Sequence, residues 1–405
     1  MKTGKRIINA AIACLCAITS TAMAQPEAHD TLIHRKLDHA ISLGLQPGYI
    51  FPSNDFFREA NASGTPIRST FAAHLKYGFR FGPDTEYGKI YPYAIQGIGV
   101  GYNSFPSVAE MGNPIALYVF QTSRVATLTK TLSLDYEWNF GASFGWKPYD
   151  EETNPTNTVV GSKINAYINL GFLLNWQVTP ALGLKAGIGL SHYSNGNTSY
   201  PNGGVNTLGA QIGMTWYPSA THEATRPSLA SRFSPYVSYD LILYGATRKR
   251  GITWPDGTAM MVPGAFAVGG LNFNPMYNFS PYFRAGLSLD AQFDESANIS
   301  EHIANTYPPA SPDEMRFHRP PFKEQFSLGL SARAEIVMPI FSINLGIGKN
   351  FLCDGPDTED FYQIFALKTH LTRSLFLHVG YQLYRFKDPN NLMLGIGYRF
   401  NAGKW

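Results

Sequence analysis

The run "LSHYSNGNTSYPNGGVN" at 190–206 sets His192 and Ser194 two positions apart, at the end of a segment whose same-face residues are Leu182, Leu184, Ala186, Ile188 and Leu190. Residues i and i+2 of a strand project to one face, so the imidazole can meet the hydroxyl. A serine that passes its proton to an imidazole is an activated nucleophile, and a third polar group on the other ring nitrogen orients the base. Asn206 opens the next strand-like segment on the same face as the pair. Between them, Asn195, Gly196, Asn197, Asn202, Gly203 and Gly204 make a loop able to offer amide donors to a developing oxyanion. The chemistry this permits is acyl transfer through Ser194. A His-x-Ser triple also arises by chance, and inside a soluble core the imidazole would be structural. What the apolar face touches decides the meaning.

The elements that must position these residues alternate with period two, from about residue 36 to residue 400. Over 132–146 one face is Leu132, Leu134, Tyr136, Trp138, Phe140, Ala142, Phe144 and Trp146, and the other is Ser133, Asp135, Glu137, Asn139, Gly141, Ser143 and Gly145. Segments 282–293, 326–336, 375–384 and 392–400 repeat the pattern, and a generous count gives about sixteen strands. A soluble sandwich also alternates, but three features favour a membrane barrel. The strands run about 10 to 15 residues, enough to cross a bilayer at a tilt. Trp146, Trp176, Trp216 and Tyr398 stand near strand ends on the apolar face, as interfacial girdles do. Tight connections at Thr179-Pro180, Met338-Pro339 and Thr372-Arg373 interleave with long ones at 51–66, 147–160, 195–205, 248–263 and 294–323. Short turns on one side and long loops on the other mark outer-membrane barrels.

Composition agrees. Residues 1–24 read as a secretory leader: Lys2, Lys5 and Arg6, an apolar stretch over 7–18, and Ala22-Met23-Ala24 before Gln25. The stretch is too short for a convincing membrane-spanning helix, and Cys14 and Cys16 lie inside it rather than after it, which argues against a lipidated form. Cleavage leaves Cys353 alone, so no internal disulfide is possible. It also removes three basic residues from a formal +3, leaving zero and no reason to expect nucleic acid as a partner. Aromatic content of 14%, with 38 glycines and 15% charged residues, suits a β-rich chain with a lipid-facing surface.

The expected fold is therefore all-β, an antiparallel transmembrane barrel of the outer membrane with about 14–16 strands in one barrel. The alternative is an eight-stranded barrel over 36–217 followed by a second β unit at 232–400, with 218–231 as linker. The proline-rich connection 294–323 can fold over the barrel mouth. With odd strands ending outside, His192, Ser194 and Asn206 lie on the lipid face near the outer leaflet. A polar trio there is costly unless its members satisfy one another or act on something.

At this point "HYSN", followed by "PN" and a glycine, then a polar residue opening the next strand, resembles the lipid A 3-O-deacylases of the PagL type. The preceding "VVGSKINAYINLGFLLNW" and "LSLDYEWNFGASFGW" resemble the strands before that motif, and the resemblance covers about 36–217. It implies an outer-membrane esterase that hydrolyses an ester-linked acyl chain of lipid A without a cofactor. Ser194 would be the nucleophile, His192 the general base, and Asn202, with loop amides such as that of Asn195, the oxyanion donor. The family's acidic member falls where this chain has Asn206, and an amide orients a histidine without stabilising imidazolium by charge. Three outcomes stay open: Asn206 suffices for a slow enzyme, Asp150, Glu151 or Glu152 substitutes, or the site is inactive. Residues 232–400 fall outside the resemblance, and a non-catalytic channel or scaffold retaining a degenerate site is the alternative function.

Arg248, Lys249 and Arg250 lie at an external strand end where they could grip lipid A phosphates, although a solvated loop is the simpler account. The same holds for Asp354, Asp357, Glu359 and Asp360 and a divalent cation. Inward-facing Asp135, Glu137, Arg284, Asp290, Arg333 and Glu335 read as a lumen salt-bridge network or the lining of a narrow pore. Gly97-Ile98-Gly99 are strand glycines rather than a phosphate loop. No metal site is expected, since His192 has no second histidine three or four residues away.

Overall fold

A computed structural model gives the structure of residues 37–218, 233–359, 361–386 and 388–401. The leader with Cys14 and Cys16, the linker from 219 to 232 and Asp360 lie outside the described residues. The strands are β1 (Leu37–Ile50), β2 (Ser69–Phe81), β3 (Ile95–Ser104), β4 (Gly112–Thr127), β5 (Leu132–Trp146), β6 (Ile164–Thr179), β7 (Leu182–Ser194) and β8 (Val205–Trp216). After the linker come β9 (Tyr236–Arg248), a short ladder of β10 (Gly251–Thr253) and β11 (Ala259–Met261), β12 (Phe266–Ser280) and β13 (Phe283–Asp294). β14 (Phe326–Val337), β15 (Phe341–Leu352), β16 (Phe361–His370), β17 (Leu375–Tyr384) and β18 (Asp388–Phe400) complete the chain.

The sixteen long strands close as two barrels, β1 to β8 and β9 with β12 to β18, each strand antiparallel to its neighbours. The single wide barrel is thus not formed; the chain adopts the eight-plus-eight alternative. The reason lies in the seams. β8 turns back onto β1 with Leu43 opposite Met214 and Tyr49 opposite Leu208, and β18 closes on β9 with Ile396 opposite Leu243. Closure pairs the backbone polar groups that lipid cannot satisfy. Eight strands leave an interior just wide enough for side chains. It is filled accordingly: a Cβ on inward Gly99 would overlap the Tyr118 ring, and one on Gly397 would overlap Phe376.

Outward positions carry the exposed apolar set, including Leu75, Leu170, Ile188 and Ile212 on the first barrel and Leu243, Leu287 and Leu394 on the second. Inward charges pair. Lys76 meets Glu137, Arg284 meets Glu335, Arg333 lies 2.7 Å from Asp290, and Asp135 accepts from Ser133 at 2.7 Å. Fully buried Lys368 bridges Asp240 at 2.8 Å and Glu335 at 2.7 Å. Five of the six lumen residues read from the sequence therefore stand in ion pairs, and Asp135 is held by the Ser133 hydroxyl.

Trp176, Trp216 and Tyr398 are exposed on the outer wall as girdle residues should be, but Trp146 is 3% exposed and turns inward. Gly145 takes φ +95°, which breaks the alternation. The Trp146 indole then donates to Ser143 at 2.8 Å. Trp138 also leaves the lipid: with its neighbours Tyr136 and Phe140 it packs on Met338, Phe341 and Leu367 of the second barrel. Part of the apolar face of the first barrel is an inter-barrel contact. At the short-turn end, Tyr91 donates to the carbonyl of Pro281 at 2.5 Å and Tyr282 to that of Ile90 at 2.8 Å.

The connection 294–323 folds back on the loop ladder, where Ile299 and Met315 pack with Trp254, Val262 and Phe266. No helix among the described residues is long and apolar enough to cross a membrane.

Candidate active site

β7 and β8 form a hairpin in which His192 stands directly opposite Asn206. Between His192 and Ser194, Tyr193 points into the lumen, where its ring packs 5.2 Å from Tyr167 and 5.3 Å from Trp146. Its hydroxyl donates to Asn103 at 2.7 Å. Anchoring Tyr193 inward forces His192 and Ser194 outward, beside exposed Leu190 and Leu208. The aromatic core of the first barrel thereby aims the pair at the outer wall.

The three side chains are in contact. His192 Nε2 lies 3.0 Å from Ser194 Oγ, and His192 Nδ1 lies 2.7 Å from Asn206 Oδ1. A carbonyl oxygen has no proton to give, so Nδ1–H must donate and Nε2 presents its lone pair to the serine hydroxyl. That tautomer is the one a general base needs. Gly204, at φ +68°, passes beneath the ring: a Cβ there would come within 3.4 Å of His192 Cε1. The Gly204 N–H is not free to serve an oxyanion, because it donates to the carbonyl of Val159 at 3.1 Å.

The loop residues divide. Asn195 is 4% exposed, and its amide donates to the carbonyl of Ser199 at 2.8 Å. Its own N–H donates to Asn202 Oδ1 at 3.0 Å. The Asn195 side chain and N–H are thus used in folding the loop. Asn202, held by its oxygen, keeps its NH₂ without a protein acceptor among the described residues. Asp150 accepts from Thr153 and Glu152 inside its own loop, which holds its carboxyl below the usual carboxylate range, and Glu151 and Glu152 are exposed. Both ring nitrogens of His192 have partners, Asn206 and Ser194, and no carboxylate among the described residues hydrogen-bonds to the ring.

Elsewhere, Arg248 is buried against Asp294 at 2.8 Å, Arg250 pairs with Asp357, and Lys249 is exposed with no acidic partner among the described residues. Among the described residues no cluster of His, Cys, Asp or Glu has the arrangement to hold a metal ion.

The family model for lipid A 3-O-deacylase (PagL) matches residues 121–215, which contain His192, Ser194, Asn202 and Asn206, and the model for the acyloxyacyl hydrolase C-terminal domain matches 237–402. The chain belongs to the PagL family. The two matches fall one in each barrel, so the second barrel, which falls outside the sequence resemblance, is the part that matches the C-terminal-domain model. PagL membership supports a hydrolase acting on lipid A esters and a place in the outer membrane. Comparison with curated proteins gives no match. Among solved structures, the siderophore receptor PirA from Pseudomonas aeruginosa is 9% identical, with TM-score 0.24, over 93% of this chain and 81% of that one. An outer-membrane channel from Pseudomonas putida F1 is 8% identical, with TM-score 0.20, over 93% of this chain and all of the other.

Proposed function

We propose that this barrel pair is a lipid A 3-O-deacylase that works by a Ser-His mechanism in the outer leaflet, after export directed by residues 1–24. The observation that carries the reading is the unbroken contact from Ser194 Oγ through His192 to Asn206 on the lipid-facing wall. Lipid A reaches it laterally, with no passage through either lumen.

In the first step Ser194 Oγ attacks the ester carbonyl while His192 Nε2 takes the hydroxyl proton, and Asn206 holds Nδ1–H in place. The Asn202 NH₂ donates to the oxyanion of the tetrahedral intermediate. Collapse breaks the bond to the sugar oxygen, which takes the proton from His192. Water, deprotonated by His192, then attacks the acyl-serine. A 3-hydroxy fatty acid leaves and Ser194 regains its proton.

Purified protein incubated with lipopolysaccharide in detergent tests this. Wild type releases a 3-hydroxy fatty acid, measured by gas chromatography with mass detection, and Ser194→Ala releases none. Equal release by both, or none by wild type, defeats the reading.

A further inference from the structure

The loop that carries the oxyanion group is not held by its own barrel alone. Gly196, at φ +63°, presses on Tyr381 of β17 so closely that a Cβ there would overlap the ring. Tyr381 belongs to the outward set of β17, with exposed Leu377, yet is itself half-buried. The N–H of Lys249, just past β9, donates to the carbonyl of Thr198 at 3.1 Å. A Cβ on Gly251 would stand 3.2 Å from the Tyr200 ring. Three points of one loop therefore touch the second barrel.

These contacts lead to the reacting groups. Thr198 donates through its hydroxyl to the carbonyl of Asn195 at 2.8 Å. Asn195 follows Ser194 directly and donates to Asn202 at 3.0 Å, fixing which way that amide faces. On the other side, a Cβ on Gly203 would lie 2.8 Å from Asn54 Nδ2, so the loop is clamped between barrels.

We infer that the second barrel is part of the catalytic apparatus, and that Tyr381 and the backbone at Lys249 are positioning elements that hold the 195–204 loop so that Ser194 and Asn202 address one ester. This rests on the esterase reading above. The ring of Tyr381 acts by packing, so phenylalanine preserves the function and alanine removes it. Misplacement of a reacting group by about an ångström costs on the order of 100-fold in rate.

The test uses the full chain in detergent and a fluorophosphonate probe that labels an activated serine, with kcat and KM for lipopolysaccharide measured in parallel. Tyr381→Ala is expected to lower both the maximal labelling rate and kcat by about 10- to 100-fold while KM changes little. Tyr381→Phe restores wild-type rates, and heat-dependent gel mobility shows all forms folded. Gly196→Ala, which disturbs the contact from the other side, gives the same loss. Labelling of Tyr381→Ala or Gly196→Ala at the wild-type rate overturns the inference while leaving the esterase reading intact. A wild type that the probe does not label defeats both.

Discussion

His192 Nδ1 lies 2.7 Å from Asn206 Oδ1, across a directly opposed pair of β7 and β8. The third member of the proposed triad is thus a neutral amide, at the point where the proposed mechanism puts charge on the imidazole. Amide in place of carboxylate in such a triad can cost about 10⁴ in turnover, mainly by favouring the wrong tautomer. Here the contacting oxygen already selects the right one, so the remaining deficit is electrostatic. Asn206→Asp is expected to raise kcat by about tenfold or more. Steady-state hydrolysis of lipopolysaccharide reads this, and an unchanged or lower kcat refutes it.

Asn202 and Asn195 are bonded differently despite their shared side chain: the Asn195 amide is used inside the loop, and Asn202 is held by its oxygen. Under the proposed mechanism Asn202→Ala removes the oxyanion donor and is expected to lower kcat by about 100-fold with KM little changed. Asn195→Ala instead unfolds the loop locally, and amides 196–204 then exchange hydrogen faster. Equal kinetics for Asn202→Ala and wild type would remove Asn202 from the mechanism.

Glu110 ties the outer loops together. It is 4% exposed, and accepts from the amide of Ala62 at 2.9 Å, from Ser107 at 2.6 Å and from Thr156 at 2.6 Å. Burial pushes its carboxyl up, but these donors reverse the shift and hold it below the usual range. A depressed folded pKa stabilises above the unfolded value, near 4.3, and that stability is lost as pH falls through the folded value. Hydrogen exchange in 51–66 and 147–160 is expected to quicken at acidic pH. Glu110→Gln should lose about 1–2 kcal/mol of loop stability at neutral pH and most of the acid response. Exchange independent of pH in wild type, after correction for intrinsic rates, contradicts this.

Lys368 is fully buried between two carboxylates. Lys368→Met leaves Glu335 with Arg284 and Asp240 with Arg399, so the lumen keeps partial compensation. The expected loss is about 3 kcal/mol, seen as a lower midpoint for the heat-modifiable band. No change in midpoint would mean the network is not a stabilising element.

Much of this was legible in the residues. Alternation over 132–146 and 182–194 assigned faces, and the two-residue spacing of His192 and Ser194 put them on one of them. Closure was not legible, because sixteen alternating strands satisfy one large ring or two small ones equally well. Only the pairing of β8 with β1 decides between them. Trp146 escaped because one left-handed glycine reverses its face, and Trp138 because an apolar wall reads alike whether it meets lipid or another barrel. Asn195 and Asn202 differ only in hydrogen bonds that form once the loop folds.

The most direct test is the mass of lipid A extracted from outer-membrane vesicles bearing the wild-type protein, His192→Ala or Ser194→Ala. The wild-type form is predicted to yield lipid A lighter by one 3-hydroxy acyl chain, and both variants to leave it intact. Unaltered lipid A in all three, or the same loss in all three, contradicts the central claim.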